Sequence, residues 1–499
     1  MGGLETAIQT INDPINGLVW GWPTVSLIAL TGVVLMLGLR LMPVRRLGYG
    51  VTMMLRPADP GTDGEITPFQ ALMTSLSATI GTGNIAGVAG AIAVGGPGAV
   101  FWMWVIALFG IATKYAEAVL AVRFRETDAT GQHVGGPMYY ILNGLGSRWA
   151  WMAGLFALFG MLAGFGIGNG VQAFEVSSAL NLIGVPKLVT GIALGAMVFA
   201  VVIGGIQRIA QAASAIVPLM SVLYVGACLL VLLLNAGAVP EAFATIVGNA
   251  FTGEAAVGGA LGQVILMGFK RGIFSNEAGL GSAPMAHAAA KTTDPVRQGT
   301  VAMLGTFIDT LIICTMTALV IITTKAHVLL DGAGERLSGA DLSIAAFNAG
   351  LPGSGVVVTV GLVIFAFTTI LGWSFYGERC TTFLFGEQAV LPFRLVWVAV
   401  VVIGAVAGDR GVVWSVADTL NGLMALPNLV ALLLLSGTVI KLTRAYLYAL
   451  SIDCRPAASR LRIVGIRCRS DDRSTGWKPD RRASRASRRS QSPRPSGCA

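Results

Sequence analysis

Charge is what this sequence has least of. Only 12% of its 499 residues are Asp, Glu, Lys or Arg, about half the share in soluble domains. With a mean hydropathy of +0.73, that scarcity excludes an ordinary soluble protein. Histidine is rarer still: His133, His287 and His327 are scattered without ligand spacing, so no metal-catalytic site is indicated. Six cysteines occur without CxxC spacing, which indicates neither a disulfide framework nor a zinc site. No GxxxxGK[ST] phosphate loop is present, which argues against an energised pump. No nucleophile stands with a base in a recognisable motif, so an enzyme is not indicated. The first apolar run lacks a basic n-region and is too long for a typical signal peptide, so it reads as a retained helix. The net charge of +9 is no evidence for nucleic acid, because much of it lies in one C-terminal tail.

What the chain does have is apolar length. It reads as an all-α polytopic membrane protein of about 11 spans. These fall near Leu18–Leu41, Pro68–Val94, Ala99–Val122, Trp149–Leu180, Leu188–Gly204 and Ala210–Leu234. The rest fall near Gly258–Ala288, Thr300–Thr323, Val356–Tyr376, Val396–Ala407 and Val412–Leu442. A loop with Glu241 and Glu254 and no basic residue separates the two groups. With the N-terminus outside, Arg45, Arg46, Arg56, Arg123, Arg125, Arg148, Arg208, Lys291, Arg297, Arg379, Arg394, Lys441 and Arg444 all fall in the cytoplasm. Only Lys187, Lys325, Arg336 and Arg410 fall on the other side, so the positive-inside rule places the C-terminus in the cytoplasm.

The most informative stretch is Ser77-Ala78-Thr79-Ile80-Gly81-Thr82-Gly83-Asn84-Ile85-Ala86-Gly87, in the middle of the second span. Two glycines around a threonine, then an asparagine, weaken a helix where lipid offers the backbone no partners. Such a break is tolerated where it faces a protein-lined cavity or a ligand. It predicts a discontinuous helix whose open ends hold a small charged solute; a small-residue face for helix packing is the other reading. The seventh span carries a second interruption at Ser275-Asn276-Glu277-Ala278-Gly279-Leu280-Gly281-Ser282. The two breaks sit at matching positions in two blocks of five spans, 68–235 and 236–444. Residues 1–67 precede them with one extra helix, and a basic tail, 445–499, follows. With five helices per block the second block is inverted, and paired broken spans point to an inverted-repeat secondary transporter.

Four motifs carry a family resemblance: Thr82-Gly83-Asn84-Ile85-Ala86-Gly87-Val88, Gly135-Gly136-Pro137-Met138-Tyr139-Tyr140, Lys270-Arg271-Gly272-Ile273-Phe274-Ser275-Asn276-Glu277-Ala278-Gly279 and Asn421-Gly422-Leu423-Met424-Ala425-Leu426-Pro427-Asn428. Together they resemble the alanine or glycine:cation symporter family, from roughly Leu18 to Arg444. The resemblance implies a leucine-transporter fold with one extra N-terminal helix. It implies sodium-coupled (sometimes proton-coupled) uptake of alanine or glycine through the plasma membrane by alternating access. Proton-coupled uptake of a related small amino acid and a passive channel are the alternatives. No cofactor is implied beyond sodium as coupling ion.

Backbone N–H groups around Gly81, Thr82 and Gly83 are the expected carboxylate site, since glycine permits close approach and a helix N-terminus favours an anion. Thr79 and Asn84 add side-chain oxygens. Gln172 either hydrogen-bonds the amino acid or joins two helices. Ser275, Asn276 and Gly279 are expected to accept from the ammonium. For sodium, a hard cation, the resemblance to the fold's commonly retained ion site implies the carbonyls of Ser77 and Ile80 with the hydroxyls of Thr368 and Thr369. Adjacent threonines more often bond their own helix, which is the competing reading. Trp373 either caps the pocket or anchors at the interface. Glu277 is a coupling candidate, pairing with Lys270 or Arg271 or carrying a proton. Asp309 and Glu117 also lie in apolar spans; Asp309 has no partner motif, and Lys114 suggests a helix-face ion pair for Glu117. The Arg- and Ser-rich tail after Tyr446 is expected to be disordered, either as a dispensable solvated end or bound to anionic lipid.

Overall fold

The computed structural model describes residues 2–57, 62–252, 261–330, 332 and 334–453. The chain divides into two units, Met1–Arg444 and Ala445–Ala499. Glu254, the expected start of the seventh span at Gly258, and the tail from Cys454 onward, with Cys468 and Cys498, lie outside the described residues. Helix reaches Asp453, beyond the point where a tail was expected to begin.

Among the described residues of the first unit the regular structure is helical, with one two-residue hairpin, Glu126–Thr127 with His133–Val134, and two isolated bridges, Ile66 with Ala290 and Leu330 with Arg336. Among the described residues, eight helices are long and apolar enough to cross a membrane, or nine when the bent pair Pro68–Thr79 and Gly83–Gly95 counts as one span. The other two expected spans are also helical but shorter: Lys187–Val202, and the pair Leu261–Asn276 and Pro284–Ala288.

Local chemistry accounts for the breaks. Pro68–Thr79 starts on a reciprocal cap, Gln70 N donating to Thr67 Oγ1 (3.1 Å) and Thr67 N to Gln70 Oε1 (3.0 Å). It stops at Ile80, whose backbone is extended (φ −77°, ψ 93°), and the chain resumes as a π-helix over Gly83–Gly87. The second interruption turns through three left-handed residues, Glu277 (φ 57°), Gly279 (φ 92°) and Gly281 (φ 83°). Further π-helical stretches occupy Gly164–Gly170 in the fourth span and Phe307–Cys314 in the eighth. Such bulges concentrate at functional sites.

The third span, Gly98–Arg123, is the axis of the packing: every residue from Gly110 to Val122 is buried, Lys114 and Glu117 among them. At one end Arg125 gathers the carbonyls of Ala288, Ala290 and Thr292, and Arg379 pairs with Asp128 at 3.4 Å. Elsewhere, Arg410 pairs with buried Glu175 of the fourth span and with Asp341, both at 3.2 Å.

Candidate functional site

The two interruptions meet. A Cβ on Gly83 would stand 3.2 Å from Ser275 Cα and 3.3 Å from the Phe274 ring, so a hydrogen at this position sets how closely the broken helices approach. At the first break Gly81 N donates to Asn84 Oδ1 (2.9 Å) and Thr82 N to Gln172 Oε1 (3.1 Å). Thr369 Oγ1 reaches the Ile80 carbonyl at 3.3 Å, and a Cβ on Gly81 would collide with that hydroxyl. Gly372 brings the ninth span against the helix end, since its Cβ would lie 2.7 Å from Ser77 Oγ and 2.9 Å from Ala78 N. Spans two, four, seven and nine therefore converge on one buried locus. Thr82 Oγ1 lies there, buried and without a hydrogen-bond partner, which is what a group awaiting a ligand looks like.

Not every expected side chain points into the locus. Gln172 spends its amide on protein, accepting from Thr82 N and donating to the Ile167 carbonyl (2.9 Å). Thr79 Oγ1 bonds the Ser75 and Leu76 carbonyls, both at 3.3 Å. Thr368 Oγ1 turns back to its own helix, to Phe365 O (2.9 Å) and Ile364 O (3.2 Å), so of the adjacent threonines only Thr369 reaches across to the break. Trp373 is fully buried rather than interfacial, and its Nε1 donates to Glu277 Oε1 at 2.7 Å.

Charge pairing departs from the sequence expectation in two places. Glu277 pairs with neither Lys270 nor Arg271; its carboxylate accepts from Ser282 Oγ (2.5 Å) and Trp373. Lys270 and Arg271 instead hold Asp418 of the eleventh span, at 2.7 and 3.3 Å. Nor do Lys114 and Glu117 form a direct ion pair along the helix face, although the two charges lie close enough to act on each other. Lys114 Nζ donates to the Asn276 carbonyl (2.9 Å), while Glu117 Oε1 accepts from Gly279 N (3.1 Å), Gly281 N (3.1 Å) and Asn428 Nδ2 (2.7 Å). The physical reason is that the second break frees backbone groups that must be satisfied where no water is present.

Asp309 is the residue whose role sequence reasoning missed. Its carboxylate accepts from Asn84 Nδ2 (2.7 Å), Ser275 Oγ (2.8 Å) and Thr310 Oγ1 (2.7 Å), which ties both breaks to the eighth span. The available signal was a lone acid in an apolar run, a functional candidate by default. Three of the four sequence motifs meet beside Glu117: Tyr140 donates to Asn428 Oδ1, and Asn428 Nδ2 donates to the Gly279 carbonyl at 2.9 Å and to Glu117 Oε1.

Paired broken helices packed against each other, inside a helical membrane protein, define a transporter built on discontinuous spans. Comparison with known structures agrees on the fold: MhsT in complex with L-phenylalanine, a transporter of the leucine-transporter fold, aligns over 77% of this chain and 99% of its own at a TM-score of 0.50 and 14% identity. The sodium:alanine symporter family model matches residues 5–458, and the chain belongs to that family. It is a transporter, not an enzyme. The sodium/alanine symporter AgcS of Methanococcus maripaludis is 48% identical over 438 residues, 87% of this chain and 96% of that protein. The probable sodium/glutamine symporter GlnT of Bacillus subtilis is 39% identical over 446 residues, 89% of this chain and 91% of that one.

Proposed function

We propose that this protein couples uptake of a small neutral amino acid, alanine or glycine, to the sodium gradient across the plasma membrane by alternating access. The observation that carries the reading is the close approach of the two breaks at Gly83 and Ser275, beside the unpartnered Thr82 hydroxyl. The substrate carboxylate sits against the amides of Gly81, Thr82 and Gly83, where the oxygens of Asn84 and Gln172 now accept. Ser275, Asn276 and Gly279 face the ammonium. Sodium is held by the Ser77 and Ile80 carbonyls with Thr369 and, after a rotamer change, Thr368. Blocks 68–235 and 236–444 are inverted copies that rock about this locus, with the N-terminus outside and the C-terminus in the cytoplasm.

A second reading, proton coupling, has one specific observation in its favour. Glu277 is buried, and its carboxylate oxygens accept from Ser282 and Trp373 rather than from a cationic side chain.

Labelled alanine uptake into proteoliposomes separates the readings. Accumulation under an inward sodium gradient, lost when potassium replaces sodium, is the expected result. Uptake that follows a proton gradient instead transfers coupling to Glu277. No concentrative uptake of alanine or glycine under either gradient, from folded protein, overturns the substrate assignment.

A further inference from the structure

The second break carries its own charges. Helix Leu261–Asn276 ends with carbonyls that its own turns leave without donors, and the end of a helix presents partial negative charge. Lys114 Nζ donates to the Asn276 carbonyl at 2.9 Å from a position only 1% exposed. One turn along the same span, Glu117 collects the opposite polarity from the N–H groups of Gly279 and Gly281. Both glycines have positive φ, and their two amides, on either side of Leu280, point to the same carboxylate oxygen. A buried ammonium and a buried carboxylate on neighbouring turns thus spend their bonds on the linker between half-helices. At the first break the side chains that meet the backbone, Asn84, Gln172 and Thr369, are neutral.

We propose that Lys114 is a tethered cation. Its ammonium takes, on the Asn276 carbonyl, the place a metal ion takes at an open helix end, and Glu117 completes the clamp on the linker amides. A helix C-terminus in a broken membrane span coordinates cations through carbonyls, and a lysine stem delivers a compact charge with three donors to the same place. Lys114 acts through Asn276, which makes it a positioning residue. It holds Ser275 against Gly83, and Asn276 Nδ2 against Thr310 Oγ1 at 3.0 Å, beside Asp309. The assignment of its role in transport rests on the symport reading above.

The test uses the full chain in proteoliposomes and in detergent. Lys114→Gln keeps a donor and loses the charge; sodium-driven alanine uptake is expected to fall about tenfold or more, within the range that misplacing a site costs. Lys114→Ala opens the space an alkylammonium fills: ethylammonium is expected to restore part of the uptake and to raise the melting temperature of the variant, with no effect on the unsubstituted protein. Tetramethylammonium, which has no N–H to donate, is the control and is expected to do neither. Wild-type uptake by Lys114→Gln overturns the proposal. So does a folded Lys114→Ala protein in which neither uptake nor melting temperature responds to ethylammonium. If Lys114→Ala does not fold, the Lys114→Gln result decides. If the unsubstituted protein itself shows no sodium-driven uptake, the symport reading fails, while the melting-temperature response still decides the tethered cation.

Discussion

Gly83 shows how little room the site leaves. Leucine there must displace Ser275 and Phe274, so Gly83→Leu is expected to abolish alanine binding and uptake, measured with labelled alanine on purified protein. Normal transport by that variant would remove the carboxylate assignment. Thr369→Ala deletes an oxygen 3.3 Å from the Ile80 carbonyl. One contact to an ion is worth about 1.5 kcal/mol, so the sodium concentration for half-maximal uptake should rise about tenfold, while alanine affinity at saturating sodium changes less. Asp309→Asn replaces an acceptor of three bonds with a group that also donates, and Ser275 and Thr310 then face an N–H₂ or must turn away. A loss of about 100-fold in uptake rate is expected; an unchanged rate would make Asp309 a spectator. These residues differ in legibility. Gly83 and Asn84 announce themselves by breaking an apolar run, but Asp309 is only an isolated acid until Asn84 and Ser275 are seen against it.

Among the elements, the seventh and eleventh spans are joined by an ionic contact of two cations with one buried acid. Asp418 is nearly buried between Lys270 and Arg271, and Arg271 also lies 4.5 Å from the Trp414 ring centroid. Removing one member of such a pair strands the others, at a cost of about 3 kcal/mol. Asp418→Ala should therefore lower the melting temperature in detergent, and Asp418→Asn, which keeps an acceptor, should lower it less. An unchanged melting temperature in both would show the contact to be incidental. The breaks themselves were legible because glycine and asparagine inside an apolar run contradict helix continuity. The π-helical stretch at Phe307–Cys314 was not, since it carries no glycine and reads as ordinary helix. Nor was the choice between Lys114–Glu117 along one helix and Lys114–Asn276 between helices, because spacing alone ranks the local pair first.

For the whole molecule, orientation and the tail are open to direct measurement. Lys325, exposed beside Glu241, and Arg208 belong to opposite sides in the proposed topology. In intact cells an impermeant maleimide should label Lys325→Cys and should reach Arg208→Cys only after permeabilisation; the reverse pattern inverts the topology. Deletion of residues 454–499 should leave alanine uptake unchanged, because that segment is Arg- and Ser-rich with little apolar content. Loss of uptake in a truncated protein that still reaches the membrane would overturn this. The sequence by itself determined the membrane class, the two interruptions and the family, since apolar length, helix-breaking residues and contiguous motifs are all local properties. Only the tertiary structure decided which charges meet: Asp418 with Lys270, Lys114 with Asn276, Glu117 with the linker amides, Asp309 with both breaks. Buried ionic groups must find partners wherever water is absent, and the partners come from spans that only packing brings side by side.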